Sequence, residues 1–204
     1  WHILLNIIGF LLAAQLAYEH ILLRVSLLQF GSILLLLVYS TTFKRKLIVG
    51  NLSIAVLTAL TLISVAAYEP NFQMLDFTVA QTGLFWVYVL FAFIITLIRE
   101  IVKDIEDIKG DAVQHCSTIP LLWGIDPAKK ILYGLHVLMM LFLTTVGFIF
   151  YRENPLLILY LGIMVALPLT WVLFSTVKAS TATEFHQISS RIKWITLLGI
   201  LSMI

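Results

Sequence analysis

One cysteine, Cys116, stands in 204 residues. That excludes an intrachain disulfide and leaves the redox compartment unmarked. As a lone thiol, Cys116 is read as inert. Charge is also scarce: Asp, Glu, Lys and Arg make up 12% of the chain, with a formal net charge of +2. No nucleic-acid partner is expected, and no required protein partner is evident. Alternating apolar and polar residues are missing, which disfavours a β-barrel. Internal repeats and low-complexity linkers are missing too. No basic region precedes Trp1, so the start does not resemble a signal peptide.

What fills the chain is apolar. Hydrophobic residues make up 61% of it, and the mean hydropathy of +1.03 is far above that of a soluble domain. Apolar segments run at about 1–17, 21–40, 48–68, 78–98, 129–151, 155–177 and 192–204, with short connections except the long charged loop 99–128 and the polar segment 178–193. Backbone hydrogen bonds in lipid must be satisfied within each span, so helices are the default. The expected fold is all-α, a polytopic transmembrane helix bundle forming a single membrane domain over 1–204. The last segment is too short to span a bilayer, and Trp1 heads an apolar stretch at once. Both ends therefore read as truncations of a longer membrane protein.

The basic residues sort by side. If Lys44, Arg45 and Lys46 are cytoplasmic, alternation of spans puts Arg99, Lys103, Lys109, Lys129, Lys130, Lys178, Arg191 and Lys193 with them. Only Arg24 and Arg152 fall opposite. This asymmetry follows the positive-inside rule and puts the charged loop 99–128 in the cytoplasm, in what is expected to be a prokaryotic cell membrane. Glu19, Glu69 and Asp76 fall at the outer ends, where solvation explains them.

Within that loop, Arg99, Glu100, Lys103, Asp104, Glu106, Asp107, Lys109 and Asp111 crowd into one short stretch. Read as a helix over 98–110, the stretch brings Glu100, Asp104, Asp107 and Asp111 within an arc of about 60°. Gly110 is a candidate helix end, with Asp111 on the turn beyond. Lys103 is spaced to pair with Glu100 and Asp107. A solvated helix end is the plain alternative, but the acids share one face while Arg99 and Lys109 lie elsewhere. Carboxylates so placed suit Mg²⁺, which takes oxygen ligands and commonly shares them with substrate phosphates. Lys103 and Arg99, with Tyr39, Lys44 and Asn51 from the same membrane side, would supply what a diphosphate needs. Lys44 to Lys46 are also explained by topology alone.

At this point the residues resemble a family. "REIVKDIEDIKGD", followed by "STIPLLWG", looks like the second aspartate-rich motif of the UbiA-type intramembrane prenyltransferases, with Asp104, Asp107 and Asp111 on its spacing. "YSTTFKRKLIVGN" resembles that family's Tyr/Lys loop, with Tyr39 and Lys44 in matching places. The resemblance implies a nine-helix bundle, of which about seven helices are present. It also implies Mg²⁺ held by two aspartate motifs, a prenyl diphosphate donor and catalytic roles for Asp104, Asp107 and Lys103. In wording, the motif is closest to enzymes that prenylate geranylgeranylglycerol phosphate. Quinone or 4-hydroxybenzoate prenyltransferases are the alternative, and a transporter or non-catalytic membrane protein is the alternative of a different class. The chain departs from the family in two ways. The first aspartate motif is not among these residues, so this fragment alone is expected to be inactive. Val113, His115 and Ser117 stand where relatives carry Lys, Gly or Arg. Elsewhere, His136 reads as a core histidine bonded to a neighbouring helix, and Pro168 as a kink. Trp86, Trp171 and Trp194 read as packing or interface anchors.

Overall fold

The computed structural model describes residues 2–16, 22–68 and 79–203. Trp1, Glu19, Glu69 and Asp76 lie outside them. Among the described residues every regular element is helical. The long helices are α1 (His2–Leu16), α2 (Leu22–Thr41), α3 (Val49–Tyr68) and α4 (Val79–Glu106). Two short helices follow, α5 (Ile108–Val113) and α6 (Ile119–Trp123), and then α7 (Ile125–Phe150). The next span is α8 (Pro155–Tyr160), a π-helical turn (Leu161–Ala166) and α9 (Leu167–Lys178), with α10 (Ala182–Leu201) after it. Among the described residues, five helical stretches are long and apolar enough to cross a membrane: Leu23–Thr41, Val49–Tyr68, Thr82–Glu106, Ile125–Phe150 and Pro155–Lys178.

Helix α4 is the centre. Phe91, Ile94, Ile95, Ile98, Ile101, Val102 and Ile105 recur at three- and four-residue steps and are buried together. They share one core with Leu132 and Met139 of α7, Leu169 and Val172 of α9, and Phe185, Ile188, Ile192 and Ile195 of α10. On its other side α4 packs on α3, whose buried residues are all small: Gly50, Ser53, Ala55 and Ala59. Lipid offers no hydrophobic drive for helix pairing, so small residues that permit close approach favour it. Many large apolar side chains point outward instead, among them Phe148 at 89% and Leu156 at 80% exposure, as a lipid-facing surface requires.

Three boundaries differ from the sequence reading. Helix α7 begins at Ile125 rather than 129. Helix α10 begins at Ala182, inside the stretch read as a polar connection. A capping box starts it: Thr181 Oγ1 accepts the Glu184 N–H, and Glu184 Oε2 accepts the Thr181 N–H at 2.9 Å. The polar residues there cover a face whose other side carries the buried Phe185, Ile188 and Ile192. Glu184 also accepts the Ser180 N–H at 2.7 Å; these backbone donors hold its carboxyl down at about 2. The third difference is at Gly110, which does not end a helix. The break falls at Asp107, with φ −106° and ψ 25°, and the chain resumes as α5 with Asp111 inside it. Pro168 follows the π-helical turn directly. A proline cannot donate to the carbonyl four residues back and its ring crowds that carbonyl, which a local change of register accommodates.

Candidate functional site

The site is built where α3 and α4 meet at the end that carries Lys44 to Lys46. Asn51, in the first turn of α3, donates from Nδ2 to Asp104 Oδ2 at 2.7 Å. Both residues are half-buried. The turn before α3 is held close: a Cβ on Gly50 would stand 2.9 Å from the Phe43 carbonyl oxygen, so only glycine lets the Phe43–Arg45 turn approach. Ile48 bridges the two with φ 53°, a left-handed conformation rare for a β-branched residue. The Ser117 N–H then donates to the Arg45 carbonyl at 2.9 Å and ties this turn to the loop after α5.

That tie explains the electrostatics of Asp111. Burial pushes its carboxyl above the ordinary range; the Thr118 hydroxyl pulls it down, Asp107 pushes it up, and Lys44 and Lys103 pull it down. Lys44 and Asp111, far apart in sequence, therefore share one field. Tyr39, near the end of α2, lies within the field of Glu100 and Asp104. Of the predicted residues, the structure thus groups Tyr39, Lys44, Asn51, Lys103, Asp104, Asp107 and Asp111 at one end of the bundle.

The expected Lys103–Glu100 pair forms, but not every expected contact is made. Arg99 Nη1 pairs with Glu100 Oε1 at 2.8 Å, and Lys103 Nζ lies 3.7 Å from Glu100 Oε2. Glu100 is thus matched by two cations rather than standing in an open acidic row. Among the described residues, Lys103 forms no ion pair with Asp107. The Asp107 carboxylate instead lies over Gly110, where a Cβ would collide with it. No three His, Cys, Asp or Glu side chains converge as a ready ligand set among the described residues. The donor chemistry nonetheless fits a hard divalent cation. Asp104, Asp107 and Asp111 all offer hard carboxylate oxygens at this end of the bundle, and Asp111 is raised first by burial and then by the charge of Asp107.

Next to this polar end lies an apolar cavity of about 440 Å³, within the range of small-molecule sites. Its wall begins at Ile54, less than one turn from Asn51, and at Leu36 of α2. It continues past Thr58 and Leu62 to Tyr88 and Phe91 of α4 and Gly199 of α10. A charged end joined to an apolar chamber suits a ligand with an anionic head and a hydrocarbon tail.

The UbiA prenyltransferase family model matches residues 1–194.

The chain belongs to the UbiA prenyltransferase family.

Similar curated proteins include a digeranylgeranylglyceryl phosphate synthase of Thermococcus sibiricus, 39% identical over 101 residues, covering 50% of this chain and 33% of that protein. The enzyme of the same name from Methanosphaera stadtmanae is 28% identical over 171 residues, covering 83% and 58%. That from Saccharolobus solfataricus is 29% identical over 171 residues, covering 83% and 56%. The chain thus spans between a third and three fifths of the length of these relatives. No solved structure matches it.

Within this UbiA family member, two features escaped sequence reasoning. Thr118 beside Asp111 carried a signal in the Thr-x-Pro of "STIP", but the Ser117–Arg45 backbone link carried none, since backbone donors leave no mark in residue type. His136 is a buried core histidine as expected, but its Nδ1 meets the Leu132 carbonyl of its own helix at 2.8 Å rather than a neighbouring one. His115, exposed and at φ 54°, lies early in the loop after α5.

Proposed function

We propose that the full-length protein transfers a prenyl group from a prenyl diphosphate to geranylgeranylglycerol phosphate or a similar lipid acceptor, at the cytoplasmic face of the cell membrane. The observation that carries this reading is the Asn51–Asp104 cluster together with the 440 Å³ apolar cavity, whose wall begins at Ile54, less than one turn along α3 from Asn51. The names of the archaeal relatives support the choice of acceptor.

Asp104, Asp107 and Asp111 are the carboxylates that would hold Mg²⁺, which when bound would offset charge on the departing diphosphate. Lys103 and Lys44 bring positive charge to the same oxygens, and Tyr39 and Asn51 offer hydrogen bonds. Arg99 contributes through Glu100, whose charge it matches and whose position it fixes. Asn51 keeps the Asp104 carboxylate oriented. The apolar wall holds the hydrocarbon chain and keeps water from the allylic cation left when the C–O bond breaks.

The test uses the full-length protein in vesicles, supplied with geranylgeranyl diphosphate, Mg²⁺ and either glycerol phosphate lipids or phenolic acids. Prenylation of the glycerol phosphate lipid, lost in Asp104→Asn and Asp107→Asn, is the expected result. Unchanged turnover in both variants refutes the site assignment, and transfer only to phenolic acids refutes the acceptor.

A further inference from the structure

We infer that Tyr88 and Phe91 form the end wall of the cavity and set the longest isoprenoid chain the enzyme accepts. The inference rests on the prenyl-transfer reading above and adds the residues that would measure the donor.

The end wall is built, not incidental. Tyr88 is 8% exposed. Its hydroxyl donates to the Ser202 carbonyl at 3.0 Å and lies 3.0 Å from Ser202 Oγ. Ser202 Oγ in turn donates to the Gly199 carbonyl at 2.6 Å. This chain of bonds fixes the phenol ring across the space between α4 and α10. Phe91, one turn nearer the charged end, sets a ring edge against Gly199: a Cβ there would stand 2.6 Å from it. Both aromatic side chains line the cavity, as does Gly199.

The length follows from helix geometry. Sixteen residues separate Asp104 from Tyr88 along α4, about 24 Å at the rise of an α-helix. An extended peptide covers about 1.15 Å per backbone bond. An isoprene unit adds four bonds to a chain, so four units reach about 18 Å and five about 23 Å on the same scale. With a diphosphate between the first carbon and Asp104, four units fit the path and a fifth meets Tyr88.

The experiment is a competition on full-length protein in vesicles, with prenyl diphosphates of three, four, five and six units and one acceptor. Wild type is expected to favour four units over five by at least about 10-fold, the discrimination an apolar pocket gives against excess bulk. Tyr88→Ala should bring that ratio to about one or below, while Tyr88→Phe, which keeps the ring, preserves the wild-type order. Gly199→Ala should push the Phe91 ring into the cavity and move the preference to three units, a change in the opposite direction that general unfolding does not produce. An active wild type whose profile is unmoved by Tyr88→Ala and Gly199→Ala overturns the inference. A wild type that turns over none of the four donors overturns the prenyl-transfer reading itself, and this inference with it.

Discussion

Replacing Asn51 by Leu, a residue of similar size, would remove a side-chain tie between α3 and the Asp104 carboxylate. The structure sets the scale of the loss. The bond is 2.7 Å long and its acceptor is an acid in a half-buried position. Hydrogen bonds to charged groups contribute about 1.5–3 kcal/mol in water-soluble proteins. Between membrane helices, measured couplings average about 0.6 kcal/mol and reach about 1.7. Asn51 and Asp104 sit at the polar end of their helices, where the unfolded chain also finds solvent, so the two ranges meet near 1.5 kcal/mol. A double-mutant cycle with Asn51→Leu, Asp104→Leu and the pair, read by reversible unfolding in mixed micelles, isolates that coupling. A value near 1.5 kcal/mol, with unfolding still cooperative in all four proteins, is the expected outcome. Coupling under about 0.3 kcal/mol, with both single variants folded, would show that the contact holds neither helix nor carboxylate and refute the reasoning.

Two further outcomes follow from the titrating groups. Asp111 is raised above the ordinary carboxylate range, so in that window the folded state binds a proton more tightly than the unfolded one, and stability falls as pH rises through it. Asp111→Asn should therefore raise the melting temperature of the metal-free protein at neutral pH while weakening Mg²⁺ binding, measured by thermal shift with and without the cation; a drop in metal-free stability would contradict the burial argument. Glu184 has the opposite sign, since its carboxyl is held at about 2 by backbone donors. Its contribution is complete above the ordinary range near 4.5 and is lost as pH falls toward 2, so hydrogen exchange at the first turn of α10 should accelerate over that window in wild type but not in Glu184→Gln.

The helical character was legible because bilayer solvent leaves few choices: long apolar runs must close their own hydrogen bonds. The acidic stretch was legible as helical as far as Glu106, because spacing sets direction on a helix. Boundaries were less so. Composition alone made 178–193 look like a connection, whereas the capping box and the buried face of Phe185 and Ile188 make most of it helix. The break at Asp107 was not legible either. Gly110 was the stronger local signal, yet the chain turns three residues earlier and uses the bare glycine to make room for the Asp107 carboxylate.

By itself, then, the sequence determined the helical membrane class and the rough place of the apolar helices, since those depend on hydropathy and local spacing, and it offered candidate residues for the site. Only tertiary structure decided which of them meet. Asn51 finds Asp104 because Gly50 lets the turn before α3 come close. Lys44 enters the field of Asp111 because a Ser117 amide reaches the Arg45 carbonyl. Arg99 and Lys103 are both drawn to Glu100. The cavity and its Tyr88 end wall likewise exist only between helices, where packing rather than residue type decides what space is left.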